Sequence, residues 1–598
     1  GGTFTDFWAV QGEDVRRHKV LSTPQEPEQA ILQGLSELGI VADSLIIHGS
    51  TVATNAFLER KGARVALVTT AGFEDVLEIG RQNRIGVYDL KTHKADVLVP
   101  EAGRIGVAER TAWDGRIVQH LEMEKGAEWK QKLQDYQPEA VAVAFLHAYA
   151  NPHHEEKMLQ ALQDRYPYTY ISSAVNPEHR EYERTSTTVM TAYIAPVVAR
   201  YLRTLSQQID QPLRIMSSAG GHISVERVLQ QPVTMMLSGP AGGVVAGLEL
   251  ARDLGYERIV TFDMGGTSTD VAMLSGAVPL TRDAVFDNLP VRVPMVDIHT
   301  VGAGGGSIAV FDRGGSLRVG PQSAGAYPGP ACYGRGGEHM TVTDANLLLG
   351  RLDPQNFLGG RMALDPAAAR RAMQRLLDQG QQMGLAPFSM QQAAEGILEV
   401  AHATMARAIR RVTAMRGVDP ARYALMSFGG AGGLHAAALA KNLGMSEVLV
   451  PADAGTLSAQ GLARSQAFAD RLRSVLLPLD QLSDETLCEH FSRLRAASGR
   501  QLIKEGYDAA AIFYEESLDL RYQGEAYEIM TGWQGTRAGT AEHFHHLHDQ
   551  YYLHADHHTP IECVNVYVKA TVKERQITLP QWRTSGSGQP FDWRPVVF

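Results

Sequence analysis

One short tract occurs twice in this chain, and the repetition restricts its fold more than any other feature. Gly265-Gly266-Thr267-Ser268-Thr269-Asp270 lies mid-chain, and Gly1-Gly2-Thr3-Phe4-Thr5-Asp6 opens the sequence. Two copies of one loop, far apart, point to two duplicated lobes facing one ligand. Paired glycines permit φ > 0 and close backbone approach. Successive backbone amides and threonine hydroxyls then offer donors suited to phosphate. Asp263, just before the second copy, and Asp270, its last residue, suit a hydrated Mg²⁺, which takes a few carboxylates plus phosphate oxygens and water. A G-G turn between β-rich flanks is also an ordinary hairpin signal. Val271-Ala272-Met273-Leu274 reads as a returning strand, unlike the helix that follows a Rossmann or P-loop fingerprint.

A second glycine-rich turn stands further along. Ala424-Leu425-Met426-Ser427-Phe428 reads as a strand, Gly429-Gly430-Ala431-Gly432-Gly433 as a turn, and His435 onward as a helix. Such a turn lets a ligand lie against backbone and a helix N-terminus. Asp297 and His299 precede Gly302-Ala303-Gly304-Gly305-Gly306. That acid and imidazole at i, i+2 would share one strand face, suiting acid–base work, metal binding or a phosphate contact; the bland alternative is a β-edge pair before a flexible turn.

Together these loops resemble the ATPase fold shared by sugar kinases, actin and heat-shock chaperones. Longer tracts narrow the resemblance. His48-Gly49-Ser50-Thr51-Val52-Ala53-Thr54-Asn55-Ala56, Ile79-Gly80-Arg81-Gln82-Asn83-Arg84, Arg180-Glu181-Tyr182-Glu183-Arg184-Thr185, Leu237-Ser238-Gly239-Pro240-Ala241-Gly242-Gly243, Gly320 to Gly334 and Thr343-Asp344-Ala345-Asn346 resemble the hydantoinase A/5-oxoprolinase family. The resemblance implies an α/β, two-lobed actin-like ATPase fold with duplicated phosphate-binding hairpins and a small C-terminal α+β domain. It implies ATP and Mg²⁺ as cofactors, and a small cyclic amide as substrate, such as a hydantoin, an N-methylhydantoin or 5-oxoproline. It further implies a hydantoinase B-type second subunit within an oligomer. Gly1, Gly2, Thr3, Thr5, Gly265, Gly266, Thr267 and Thr269 would hold phosphates, and Gly429, Gly430, Gly432 and Gly433 adenosine. Asp263, Asp6, Asp297 and His299 would be catalytic, and Asp263 with Asp270 would hold the metal. An ATP-dependent carboxylase subunit of the acetone or acetophenone type, and a non-catalytic nucleotide switch, are the alternatives. The family places an acid-bearing strand before the first G-G and a β-rich segment past Phe598, so the sequence reads as a piece of a longer chain.

Bulk properties agree. A chain of 598 residues exceeds one core. The expected division is 1–184 and 185–475 for the lobes and 476–598 for the C-terminal domain. A net charge of −10 argues against a nucleic-acid partner. Cys332, Cys488 and Cys563 cannot all pair, which suggests a reducing, cytoplasmic setting. No apolar run is long enough for a bilayer.

Within this frame Val65–Thr70 and Ala140–Leu146 read as buried parallel strands, and 185–209 as a helix carrying Pro196. Residues 302–333 read as an ordered loop, and 521–529 as a continuing strand. Arg81, Arg84, Arg180 and Arg184 could fork onto a carboxylate or phosphate, or pair with neighbours such as Glu181 and Glu183. His543, His545, His546, His548, His554, His557 and His558 crowd one stretch; His545 and His548 have a spacing that could bind metal, or they line a solvated helix face.

Overall fold

The computed structural model describes residues 4–598 except 13, 24–25, 42, 84–95, 125–126, 359, 574–576 and 578–592. It is a mixed α/β structure. Val65–Thr70 lies between Arg104–Val107 and Ala140–Ala144 in a four-stranded parallel sheet completed by Thr169–Ile171. All six residues of Val65–Thr70 are buried, as expected of a parallel strand covered on both faces. Ile46–His48 pairs in parallel with Leu213–Met216, which pairs antiparallel with His222–Ser224.

The 28-residue helix Glu181–Gln208 carries Pro196 and begins four residues before the expected 185, with Glu181 and Glu183 in its first turn. Acidic side chains there complement the helix dipole. Its buried Met190, Ile194, Val198 and Leu202 join Leu67, Ala142 and Ile215 in one core, so it ties the two sheets together.

A five-stranded sheet holds the second copy of the duplicated motif. Its order is His299–Val301, Thr269–Ser275, Arg258–Met264, Ala424–Phe428, Val448–Leu449. The first three are antiparallel to one another; Ala424–Phe428 pairs in parallel with Arg258–Met264, and Val448–Leu449 in parallel with Ala424–Phe428. The N-terminal copy leads into an antiparallel hairpin of Phe4–Gln11 and Asp14–Leu21.

Two expectations need correction. Residues 302–333 hold a β-hairpin, Ser307–Phe311 paired with Leu317–Ser323, closed by the Asp312 to Ser316 turn. The strand at 512 ends at Tyr522, because Glu525 N closes a turn onto Tyr522 O at 3.0 Å; the next strand is Ile529–Gly532.

The C-terminal part is a four-stranded antiparallel sheet in the order Phe468–Pro478, Ile561–Val572, Ile512–Tyr522, Ile529–Gly532, beside helices Asp484–Lys504 and Arg537–Tyr552. Its first strand runs across residue 476. Arg292 joins it to the rest: the guanidinium meets Asp283 at 2.6 Å and Glu528 at 2.7 Å and also pairs with Glu178. Cys332, Cys488 and Cys563 are free thiols, and only Cys488 is exposed. Among the described residues no helix is long and apolar enough to cross a membrane.

Candidate functional site

The hairpin between Met264 and Thr269 is held from behind. Gly265 N closes it onto Ser268 O at 3.0 Å. Gly305 N donates to Gly265 O at 3.0 Å, and Gly306 N to Gly266 O at 2.6 Å. A Cβ on Gly304 would stand 2.7 Å from Thr267 C and 2.8 Å from Gly266 C, so only glycine lets these two backbones touch. The run Gly302–Gly306 is therefore a brace for the hairpin. Among the described residues no hydrogen bond engages the amides of Gly266, Thr267 or Ser268. Carbonyls are pinned behind and donors stay free in front, an arrangement suited to an anion.

The strands bring the carboxylates together. Asp263 stands directly opposite Asp270, and Asp270 opposite Thr300. Burial, reinforced by the Asp270 and Asp6 carboxylates and opposed by Ser458 and Lys19, raises the Asp263 carboxyl to about 7. Ser458 Oγ donates to Asp263 Oδ2 at 3.3 Å. Burial raises Asp270 to about 6, although Thr300 Oγ1 donates to it at 2.6 Å. Like charges opposite each other destabilise a sheet unless something neutralises them. Two carboxylates beside free phosphate donors fit Mg²⁺, which leaves most of its shell to water and phosphate.

A cavity of about 1550 Å³ opens in front, walled by Thr5, Asp6, Asp263, Gly265, Gly266, Thr267, Asp270, Gly429 and Gly430, among others. The N-terminal hairpin lines it directly with Phe4–Gln11 and is anchored at Asp453: Trp8 Nε1 donates to Asp453 Oδ2 at 3.2 Å, and Arg17 pairs with the same carboxylate. Asp6 pairs with Lys19, its cross-strand partner. Gly1, Gly2, Thr3 and Arg84 lie outside the described residues.

Several expected site residues sit elsewhere or are already engaged. Thr269 is fully buried, and its hydroxyl donates to Ala303 O, so it supports the brace instead of reaching into the cavity. Gly432 packs inward, where a Cβ would meet Ser427 Oγ at 2.8 Å, and neither it nor Gly433 is on the cavity wall. Asp297 is on the wall but pairs with Arg416. His299 lines it too; burial, then the Arg411 charge, lowers its pKa against the pull of Asp297. The arginines serve structure: Arg81 forks onto Glu183 at 2.6 and 2.8 Å, Arg180 meets Glu528 at 2.6 Å, and buried Arg184 donates to Phe145 O at 2.9 Å and pairs with Glu181.

In the histidine stretch, His545 and His548 are engaged by neighbours. His545 Nδ1 meets Tyr522 Oη at 2.6 Å, and His548 Nδ1 meets His554 O at 2.7 Å. His543, His546, His557 and His558 join no metal set with them: among the described residues no three His, Cys, Asp or Glu side chains gather as a metal site.

Sequence reasoning missed Asp453 and Ser458, which no motif marks. It also gave His48 no role. His48 lines the cavity, its Nε2 is 2.6 Å from Tyr201 Oη, and burial lowers its pKa to about 4.

Comparison with known proteins fits this geometry. The family model described as Hydantoinase/oxoprolinase matches residues 184–471, and the one for the Hydantoinase/oxoprolinase N-terminal region matches residues 1–166. The caprolactamase subunit alpha of Pseudomonas jessenii is 34% identical across 100% of this chain and 90% of its own. The crystal structure of the ATP-dependent caprolactamase from that organism superposes with a TM-score of 0.86, covering 100% of this chain and 91% of that one. The 5-oxoprolinase 1 of Arabidopsis thaliana is 36% identical over 90% of this chain, which spans only 47% of that relative. A nucleotide-free acetone carboxylase structure has a TM-score of 0.79 at 25% identity, covering 99% of this chain and 89% of its own. Matched along almost its whole length by family models and close relatives, the chain belongs to the hydantoinase/oxoprolinase family.

Proposed function

We propose that this chain binds Mg-ATP in the cavity and phosphorylates the carbonyl oxygen of a small cyclic amide, so that a second subunit can open the ring. The observation that carries the reading is the Asp263–Asp270 pair beside a hairpin whose forward amides are free. The relatives support it: one is an ATP-dependent caprolactamase, whose matching chain is named an alpha subunit, and another is a 5-oxoprolinase.

A ring amide is a poor electrophile. Its carbonyl oxygen attacks the γ-phosphorus, the bond from that phosphorus to the bridging oxygen breaks, and ADP leaves. The resulting O-phosphorylated imidate carries a good leaving group. Water then adds to carbon, the C–N bond breaks with the proton passing to the ring nitrogen, and an acyl phosphate results; a second water attacks its carbonyl carbon, and phosphate departs with the former carbonyl oxygen. Catalysis here is positioning plus charge stabilisation. The amides of Gly266, Thr267 and Ser268 and the hydroxyls of Thr267 and Thr5 would hold phosphate oxygens. Asp263 and Asp270 would hold Mg²⁺, which supplies neutralising charge at the phosphates. In place of a metal-holding role, Asp263 would orient the attacking oxygen or accept the ring N–H proton. The two hairpins, in the segments 1–184 and 185–475, would be the facing phosphate grips of a two-lobed ATPase of the sugar-kinase and actin type.

A second reading, ATP-dependent carboxylation of a ketone, draws on the likeness to acetone carboxylase. The higher identity to the caprolactamase favours the amide. The experiment is reconstitution. The chain alone should use ATP slowly and open no ring, and adding its second subunit should yield ring-opened acid in step with ADP. Ring opening by the single chain, or by the pair without ATP, overturns the proposal.

A further inference from the structure

The cavity, at about 1550 Å³, exceeds the roughly 300–1000 Å³ that holds one small ligand, so a second molecule fits beside a nucleotide. Its wall has two chemical characters. The Gly265–Ser268 hairpin and Gly429–Gly430 bring backbone groups, with Asp263 and Asp270 beside them. Elsewhere the wall is apolar. Ile31, Leu35, Ile46 and Phe286 line it and belong to the core that the Glu181–Gln208 helix organises. Ile47 and Ile298 extend it from the core shared with Ile259 and Met426 of the five-stranded sheet. The polar groups next to these in sequence are uncharged. His48, Thr51 and Asn55 line the cavity, and Tyr201 Oη holds His48 Nε2 at 2.6 Å.

The charges on this wall are one-sided. Among the described residues its cationic side chains are Arg16 and Lys19, and both are engaged. Arg16 Nη1 donates to Leu38 O at 2.7 Å, its Nη2 donates to Gln11 Oε1 at 3.0 Å, and its Nε lies 3.4 Å from Asp14. Lys19 pairs with Asp6. Both imidazoles of the wall are neutral: burial lowers His48 to about 4, and burial with the Arg411 charge lowers His299. Aspartates outnumber the cations. Asp283, Asp287 and Asp297 pair with Arg292, Arg60 and Arg416, none of which is on the wall. Asp263 and Asp270 have no cationic partner within ion-pair distance among the described residues. An entering anion would meet these carboxylates with no free cation to offset them, where charge interactions are stronger than in water.

We infer that the apolar wall is the subsite for the second substrate, and that it takes an uncharged ring amide and rejects one bearing a carboxylate, such as 5-oxoproline. The inference rests on the cyclic-amide reading given above and narrows it. A carboxylate would give up its water here with no guanidinium or ammonium in exchange. A lactam ring gains by leaving water, and its carbonyl and N–H need only uncharged partners.

The test titrates three ring amides, by calorimetry, into the chain assembled with its second subunit and carrying Mg-ADP. They are 2-pyrrolidinone, 5-oxoproline and 5-oxoprolinamide, the last matching 5-oxoproline in size without its charge. The carboxamide should bind about ten-fold or more tighter than the carboxylate, the effect of a like charge at close range in a partly desolvated site. Asn55→Lys adds a cation at an exposed position of the wall. It should raise 5-oxoproline affinity about three-fold or more and leave the carboxamide little changed. The wild-type comparison needs no variant and stands even if Asn55→Lys folds poorly. A carboxylate that binds as tightly as the carboxamide, or a folded Asn55→Lys with the gap unchanged, overturns the inference and leaves the cyclic-amide reading intact. Failure of all three ring amides to bind, with Mg-ADP bound, overturns both.

Discussion

A side-chain carbon on Gly429 would stand 2.3 Å from Asp263 Oδ1. Gly429 has φ +81° and donates to Ala454 O at 2.9 Å, next to the Asp453 that anchors the N-terminal hairpin. The turn expected to hold adenosine therefore also seals the back of the carboxylate expected to hold metal. Gly429→Ala should displace Asp263 and strain the turn. Mg-ATP affinity should fall at least ten-fold and stability by about 1–3 kcal/mol, since a left-handed, crowded position penalises any Cβ. Calorimetry and urea unfolding check both, and unchanged nucleotide affinity would show that the contact has no role in binding.

The paired carboxyls set a pH dependence of fixed sign. Asp263 and Asp270 have folded pKa values of about 7 and about 6, above the ordinary carboxyl value. Between pH 4 and 7 the folded state binds more protons than the unfolded one, so metal-free stability should fall as pH rises through that window and flatten above it. Asp270→Asn removes one charge of the pair. It should stabilise the metal-free protein at pH 7.5 by on the order of 1–3 kcal/mol and abolish its stabilisation by Mg-ATP. Thermal unfolding from pH 5 to 8 in a chelator reads the slope. A metal-free protein that gains stability between pH 5 and 7, with Asp270→Asn neutral, would contradict the electrostatic account.

Two threonines of one hairpin should behave in opposite ways. Thr267 is exposed on the cavity wall, whereas Thr269 is buried and donates to Ala303 O. Thr267→Ala should leave stability within about 0.5 kcal/mol, as exposed substitutions do, and weaken ATP binding. Thr269→Val leaves the Ala303 carbonyl short of a donor and should cost about 1–3 kcal/mol of stability. Denaturant midpoints and ATP titrations of the two variants separate the roles; equal loss of ATP affinity without any stability change in Thr269→Val would return that residue to the binding surface.

Much of this was legible in the sequence, for local reasons. A G-G pair between runs of strand formers specifies a hairpin, and the strands Arg258–Met264 and Thr269–Ser275 form it. Arg81 and Arg184 found their carboxylates on one helix turn, at Glu183 and Glu181. What stayed hidden depends on groups distant in sequence. The Gly302–Gly306 run reads as the start of an ordered loop, and its role as a brace emerges only when the Gly266–Thr267 backbone is laid against it. Asp453 and Ser458 sit in a motif-free turn and matter only because Trp8, Arg17 and Asp263 converge there.

The most direct measurement follows one oxygen atom. Lactam labelled with ¹⁸O at the carbonyl is given to the chain, its second subunit and Mg-ATP, and the released phosphate is analysed by mass. If the carbonyl oxygen is phosphorylated, each turnover passes one ¹⁸O into phosphate, with no need for bicarbonate. Unlabelled phosphate from labelled lactam, together with bicarbonate-dependent turnover of a ketone by the assembled complex, would contradict carbonyl activation.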